Sequence, residues 1–173
     1  MNAQILGTTF LENLIANTLT VNQASFSDAN IKTGADIDAD KLEHRVHAIH
    51  QVPDGTDVAA TSGDGIPIYT CVRTNGATIK NVHVVCPDAP EGGDKTFTVD
   101  IKKASAGSAA ATVLAAVVTY PAETPDYTVR AGMVTSANLA NGDTLLVSVA
   151  VSGTTGNQGQ GLLVSVVLDE KAF

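Results

Sequence analysis

The chain has 173 residues, of which 44% are hydrophobic and only 16% charged, and its net charge is −8. The apolar share is enough for one core, while the acidic balance argues against nucleic acid and anionic membrane surfaces as partners. The longest nearly apolar run, residues 108–118, is too short to span a bilayer, and the opening MNAQILGTTFLENLIANTL lacks the basic start and small-residue cleavage site of a signal peptide.

Residues 9–21 (TFLENLIANTLTV) fit either a short helix from Phe10 to Asn17 or a strand around Leu19 and Val21. Beyond them the apolar residues thin out. Phe26, Ile31, Ile37 and Leu42 stand five or six positions apart, and a small-polar-apolar unit recurs at Ala29-Asn30-Ile31, Ala35-Asp36-Ile37 and Ala39-Asp40-Lys41-Leu42. That spacing suits neither an amphipathic helix nor a strand with an apolar face. Such a segment cannot offset its own ordering entropy and needs another surface to lie on, in its own domain, a sister subunit or a partner. Residues 1–44 are therefore expected to form an extended N-terminal arm, with Phe26, Ile31, Ile37 and Leu42 as its partner-binding pegs. Asp40 and Glu43 have the spacing of a capping box and predict one short turn before the domain begins.

Residues 45–173 read as a β-sandwich domain of jelly-roll type. Strands are expected at 45–51, 66–73, 78–87, 94–104, 112–120, 127–134, 143–151 and 161–170. In 94–104, Phe97, Val99 and Ile101 alternate strictly with Thr96, Thr98, Asp100 and Lys102. Asn75-Gly76 predicts a hairpin between the second and third strands. The block 108–118 is alanine-rich, which suits a helix, but its three valines and its flanks favour a strand. Eight or so short strands punctuated by Gly, Pro, Asn and Asp mean an antiparallel sandwich or jelly roll. The last two strands are apolar on both faces, which predicts cover by the arm or by a subunit interface.

The candidate sites are weak. His44, His47 and His50 lie on an expected strand, which puts His47 on the opposite face from the other two. Asp36, Asp38 and Asp40 begin like a calcium loop, but Lys41 and His47 stand where an EF-hand requires Gly and Glu. Gly156, Gly159 and Gly161 open a strand, whereas a phosphate loop opens a helix. Cys71 and Cys86 are expected as reduced core residues. No nucleophile-elbow or nucleotide motif is present, so the expectation is a non-enzyme without cofactor or metal.

The stretch GADIDADKLEHRVHAIHQVPDGTDVAA (34–60), followed by a Val-rich sandwich ending in GQGLLVSVVLDE (159–170), resembles tailed-bacteriophage capsid decoration, or cement, proteins. The resemblance implies a structural virion protein made in the host cytoplasm, bound to the outer capsid surface as a homotrimer and tying major capsid protein subunits together. The alternative is a phage fibre or receptor-binding, lectin-like sandwich. The absence of Trp and the few Tyr and Phe weaken a lectin, and residues 10–43 are short for a fibre shaft.

Overall fold

The computed structural model describes residues 44–171, and these contain ten strands and no helix. Phe26, Ile31, Ile37 and Leu42, the segment 9–21, the Asp36/Asp38/Asp40 run and the expected turn at Asp40–Glu43 lie outside the described residues.

The strands are β1 (His44–Asp57), β2 (Ile66–Thr70), β3 (Ala77–Val85), β4 (Thr96–Ala104), β5 (Ala111–Thr112), β6 (Val118–Tyr120), β7 (Val129–Gly132), β8 (Asn138–Leu139), β9 (Thr144–Ser152) and β10 (Gln160–Glu170). One sheet runs β1-β10-β3-β7, with β8 also on β3; the other runs β2-β9-β4-β5, with β6 also on β4. Every pairing between strands is antiparallel. If β5 with β6 and β7 with β8 each fill one position, the eight positions are ordered first-eighth-third-sixth in one sheet and second-seventh-fourth-fifth in the other, which is the jelly roll.

Period-two patterning produces this arrangement. Phe97, Val99 and Ile101 of β4 and Leu145, Val147 and Val149 of β9 are buried from one sheet. Ile79, Val82 and Val84 of β3 and Leu162, Val164, Val166 and Leu168 of β10 are buried from the other. In β3 the buried parity switches between Ile79 and Val82. A register shift opposite Val167 and Leu168 leaves Lys80 as the extra residue, so both halves of the strand face the core. Tyr120 stacks on Phe97, with ring centroids 4.8 Å apart and planes within 9°. Its hydroxyl crosses to the other sheet, 2.7 Å from the Val84 carbonyl oxygen and 2.6 Å from that of Thr128.

Two expectations are corrected. Asn75-Gly76 does form a turn, with the Gly76 amide donating to the Arg73 carbonyl at 3.0 Å. It is not a hairpin, because β2 pairs with β9 and β3 pairs with β10, β7 and β8. The turn carries the chain from one sheet to the other, and long-range pairing decides which strands meet. The expected strand 112–120 is also broken, into β5 and β6. Val113 and Leu114 are consecutive and both buried, which a pleated strand with one buried face cannot achieve. The Ala115 amide instead donates to the Met133 carbonyl at 2.8 Å, so this segment leaves β4 and reaches toward the β7 side.

Candidate interaction face

The two sheets differ in what they present outward. On the β2-β9-β4 sheet, the outward rows pair Thr96 with Ser152, Thr98 with Ala150 and Thr119, and Asp100 with Ser148. Lys102 lies beside Thr112 and Leu146. This is a hydroxyl-rich, water-facing surface, and only Leu146 in it is a large apolar residue.

The β1-β10-β3-β7 sheet is different. Its outward rows place Gln51 beside Leu163, Val85 and Val129, then Ile49 beside Ser165, His83 and Ala131, then His47 beside Val167 and Asn81. Ile49 is 55% exposed, Leu163 38% and Val129 63%, and Tyr127 and Met133 flank β7 at about 70%. Two-residue periodicity that fills the core with Val164 and Val166 would normally put polar residues at 163 and 167. Ile49, Leu163 and Val129 are thus exposed apolar residues on one face, interleaved with Gln51, Ser165 and His83, while Val167 is 8% exposed. Exposed apolar area of this kind makes the face a candidate interaction surface, and Tyr and Met are residue types enriched in such surfaces. Tyr127 also holds a positive φ of 56°, a conformation that costs a non-glycine residue about 1 kcal/mol or more.

Charge is segregated along the strands. At the end of the sandwich beyond Gln51, Leu163 and Val85, the segments 51–60, 86–95, 121–129 and 152–163 hold Asp54, Asp57, Asp88, Glu91, Asp94, Glu123 and Asp126 against a single cation, Lys95. Asp94 is the best-held of these acids. The Thr155 and Thr154 amides and the Thr155 hydroxyl donate to its Oδ1 at 2.7, 2.9 and 2.8 Å. They hold its carboxyl down at about pKa 2. The opposite end carries Arg45, Arg73, Lys80 and Lys103 together with Asp143, Asp169 and Glu170, and each of these cations lies beside one of these carboxylates. Asp169 there lies 3.1 Å from Arg45 Nε and 3.2 Å from Lys80 Nζ. Glu170 accepts from Tyr69 at 2.7 Å and from Arg73 at 2.6 Å. These donors hold both carboxyls below the usual range.

The histidines divide as the strand reading requires. His44 and His50 share the parity of buried Ala48, while His47 points outward with Ile49. His50 lines a groove of about 350 Å³ between β1 and β2, with Val52, Ile66 and Val149 among its walls, and burial lowers its pKa. No group of three or more His, Cys, Asp or Glu able to hold a metal ion gathers among the described residues. Cys71 and Cys86 are free and buried, and the Cys86 sulfur sits 3.0 Å from the Asp88 carbonyl oxygen. Gly156 and Gly161 both have positive φ in the loop before and at the start of β10, in keeping with turn chemistry. Of the exposed row on β1, β10 and β7, the sequence reading singles out only the β10 part, as a strand apolar on both faces, and misses the β1 and β7 parts. The signal was the pair of apolar positions, Leu163 and Val167, on the non-core parity of β10.

No family model and no curated protein matches the chain. Among solved structures, the fold is similar to a chain in the structure titled "Capsid of Ralstonia phage GP4" at 16% identity and a TM-score of 0.50. That likeness covers 79% of this chain and 89% of the other, so the two are of similar length. Lower-scoring matches come from Desmodium yellow mottle tymovirus (9% identity, TM-score 0.30, 100% and 97% of the two chains) and the empty head of turnip yellow mosaic virus (9%, 0.29, 94% and 91%). At these identities the likeness is one of fold: an all-β jelly roll of antiparallel strands.

Proposed function

We propose that the chain is a structural virion protein that decorates the outer surface of a tailed-phage capsid and cements neighbouring major capsid protein subunits, without catalytic activity. The observation that carries this reading is the fold likeness, over 79% of this chain, to a chain from a phage capsid structure. The exposed apolar residues Ile49, Leu163 and Val129 on one sheet face support it, because such a face suits contact with protein. In this reading the N-terminal arm reaches a capsid subunit. Phe26, Ile31, Ile37 and Leu42 enter shallow pockets there, each burial contributing about 1.5–3 kcal/mol before the entropy of ordering the backbone. Main-chain hydrogen bonds to the partner supply the remainder, as in strand addition.

The test is co-sedimentation of purified full-length protein with capsids stripped of it. Saturable binding is expected, weakened at least tenfold when all four pegs are changed to Ser. Capsids that bind none of the wild-type protein would overturn the function. Undiminished binding of the four-Ser variant would remove the arm from it.

A further inference from the structure

We infer that the outward face of the β1-β10-β3-β7 sheet pairs with the same face of a second copy, the strands of the two copies running in opposite directions across a two-fold axis. This goes beyond the virion reading and does not depend on it.

The argument begins with charge. Copies of a chain with net charge −8 repel one another, so they approach best where the surface carries no unpaired acid. Between its ends, the face formed by Gln51, Ile49, His47, Leu163, Ser165, Val167, Val85, His83, Val129 and Ala131 holds no Asp or Glu. The hydroxyl-rich face of the other sheet carries Asp100 and offers no comparable apolar area. Desolvating the first face therefore buries no carboxylate, and its exposed apolar residues Ile49, Leu163 and Val129 are what burial would gain.

The segregated ends then choose the orientation. A two-fold axis lying in the face and parallel to the strands would stack the carboxylate-rich end of one copy on that of the other. An axis perpendicular to the strands reverses one copy, so each acidic end lies over a basic end. Strand order is preserved across this axis, with β1 over β1 and β3 over β3. Arg45 at the start of β1 then comes to the level of Asp54 near the far end of the partner copy's β1, and Lys80 on β3 to that of Asp88 just beyond the partner copy's β3, each cation also lying beside its own chain's Asp169. The contact is isologous, each residue pair occurring twice.

Area sets the strength. Three strands about seven residues long and the four residues of β7, about 4.8 Å apart, make a face of about 400 Å², so two copies remove about 800 Å² before Tyr127 and Met133 are added. That is below the roughly 1,000 Å² of stable specific interfaces and in the range of weak, transient ones. A reversible dimer in the micromolar range follows, rather than an obligate one.

Sedimentation equilibrium of the full-length protein from 1 to about 200 µM tests this directly. A monomer–dimer equilibrium is expected that weakens with rising salt. Ile49→Lys should abolish it, with the β circular dichroism spectrum unchanged. Asp54→Lys should weaken it about tenfold by setting a cation against Arg45, and Arg45→Glu combined with Asp54→Lys should restore it to within about threefold. A monomer throughout the range would overturn the proposal. So would a trimer, dimerisation indifferent to Ile49→Lys, or a double variant no better than Asp54→Lys.

Discussion

Tyr120 is the side chain that fastens the two sheets at the β6 edge. It is fully buried, stacked on Phe97 and hydrogen-bonded at its hydroxyl to main chain of the facing sheet. Burial pushes its pKa up to about 12, so it acts only as a neutral donor. Tyr120→Phe leaves carbonyl groups of Val84 and Thr128 without this donor, and the expected loss is about 1–2 kcal/mol in urea unfolding. The cysteines give a second check. Cys86 is pushed up to about 11, chiefly by burial, and both thiols are shielded from solvent. Neither should be alkylated by iodoacetamide in the native protein, and both should react once it is unfolded in guanidinium. Asp94 supplies the pH dependence. Its folded pKa is depressed to about 2, so its contribution is present above the ordinary carboxylate range and lost as pH falls from about 4 through 2. The melting temperature should drop over that interval, and Asp94→Asn should flatten part of the drop.

At the scale of elements, strict alternation made β4 legible residue by residue, and the Val-rich runs located β9 and β10. The reading failed where tertiary pairing overrode a local signal. Asn75-Gly76 is turn chemistry in either setting, and nothing in those two residues says whether the flanking strands meet each other or separate partners. The 112–120 segment carries strand-forming valines, yet closing the sandwich required Val113 and Leu114 to be buried in succession. β8, two residues long, has no periodicity to detect. The β2–β3 corner gives a sharp test. Gly76 has φ +81°, and a Cβ there would stand 2.3 Å from the Leu139 carbonyl oxygen, whereas Gly107 has φ +75° and open space around it. Gly107→Ala should cost only the backbone term, about 1 kcal/mol. Gly76→Ala should cost more than twice that in the same denaturant titration, because backbone must move.

For the molecule as a whole, composition and patterning were enough for an antiparallel jelly roll. The outward face was only half visible, as apolar residues of the wrong parity, because which strands lie side by side is a property of the fold. The candidate arm residues Phe26, Ile31, Ile37 and Leu42 were chosen for their spacing alone. Among the described residues the buried core of the sandwich is drawn from residues 48–168, and the prediction is that a chain beginning at His44 melts cooperatively with a β-dominated circular dichroism spectrum. An unfolded truncation would make the preceding residues part of the core. The central claim, a protein that works by coating a capsid in many copies, is tested most directly by counting it. On the proposed reading, quantitative mass spectrometry of purified virions from cells that produce the chain, referenced to the major capsid protein, should find it in hundreds of copies per particle. A handful of copies, as for a fibre or receptor-binding tip, or none at all, would contradict the account.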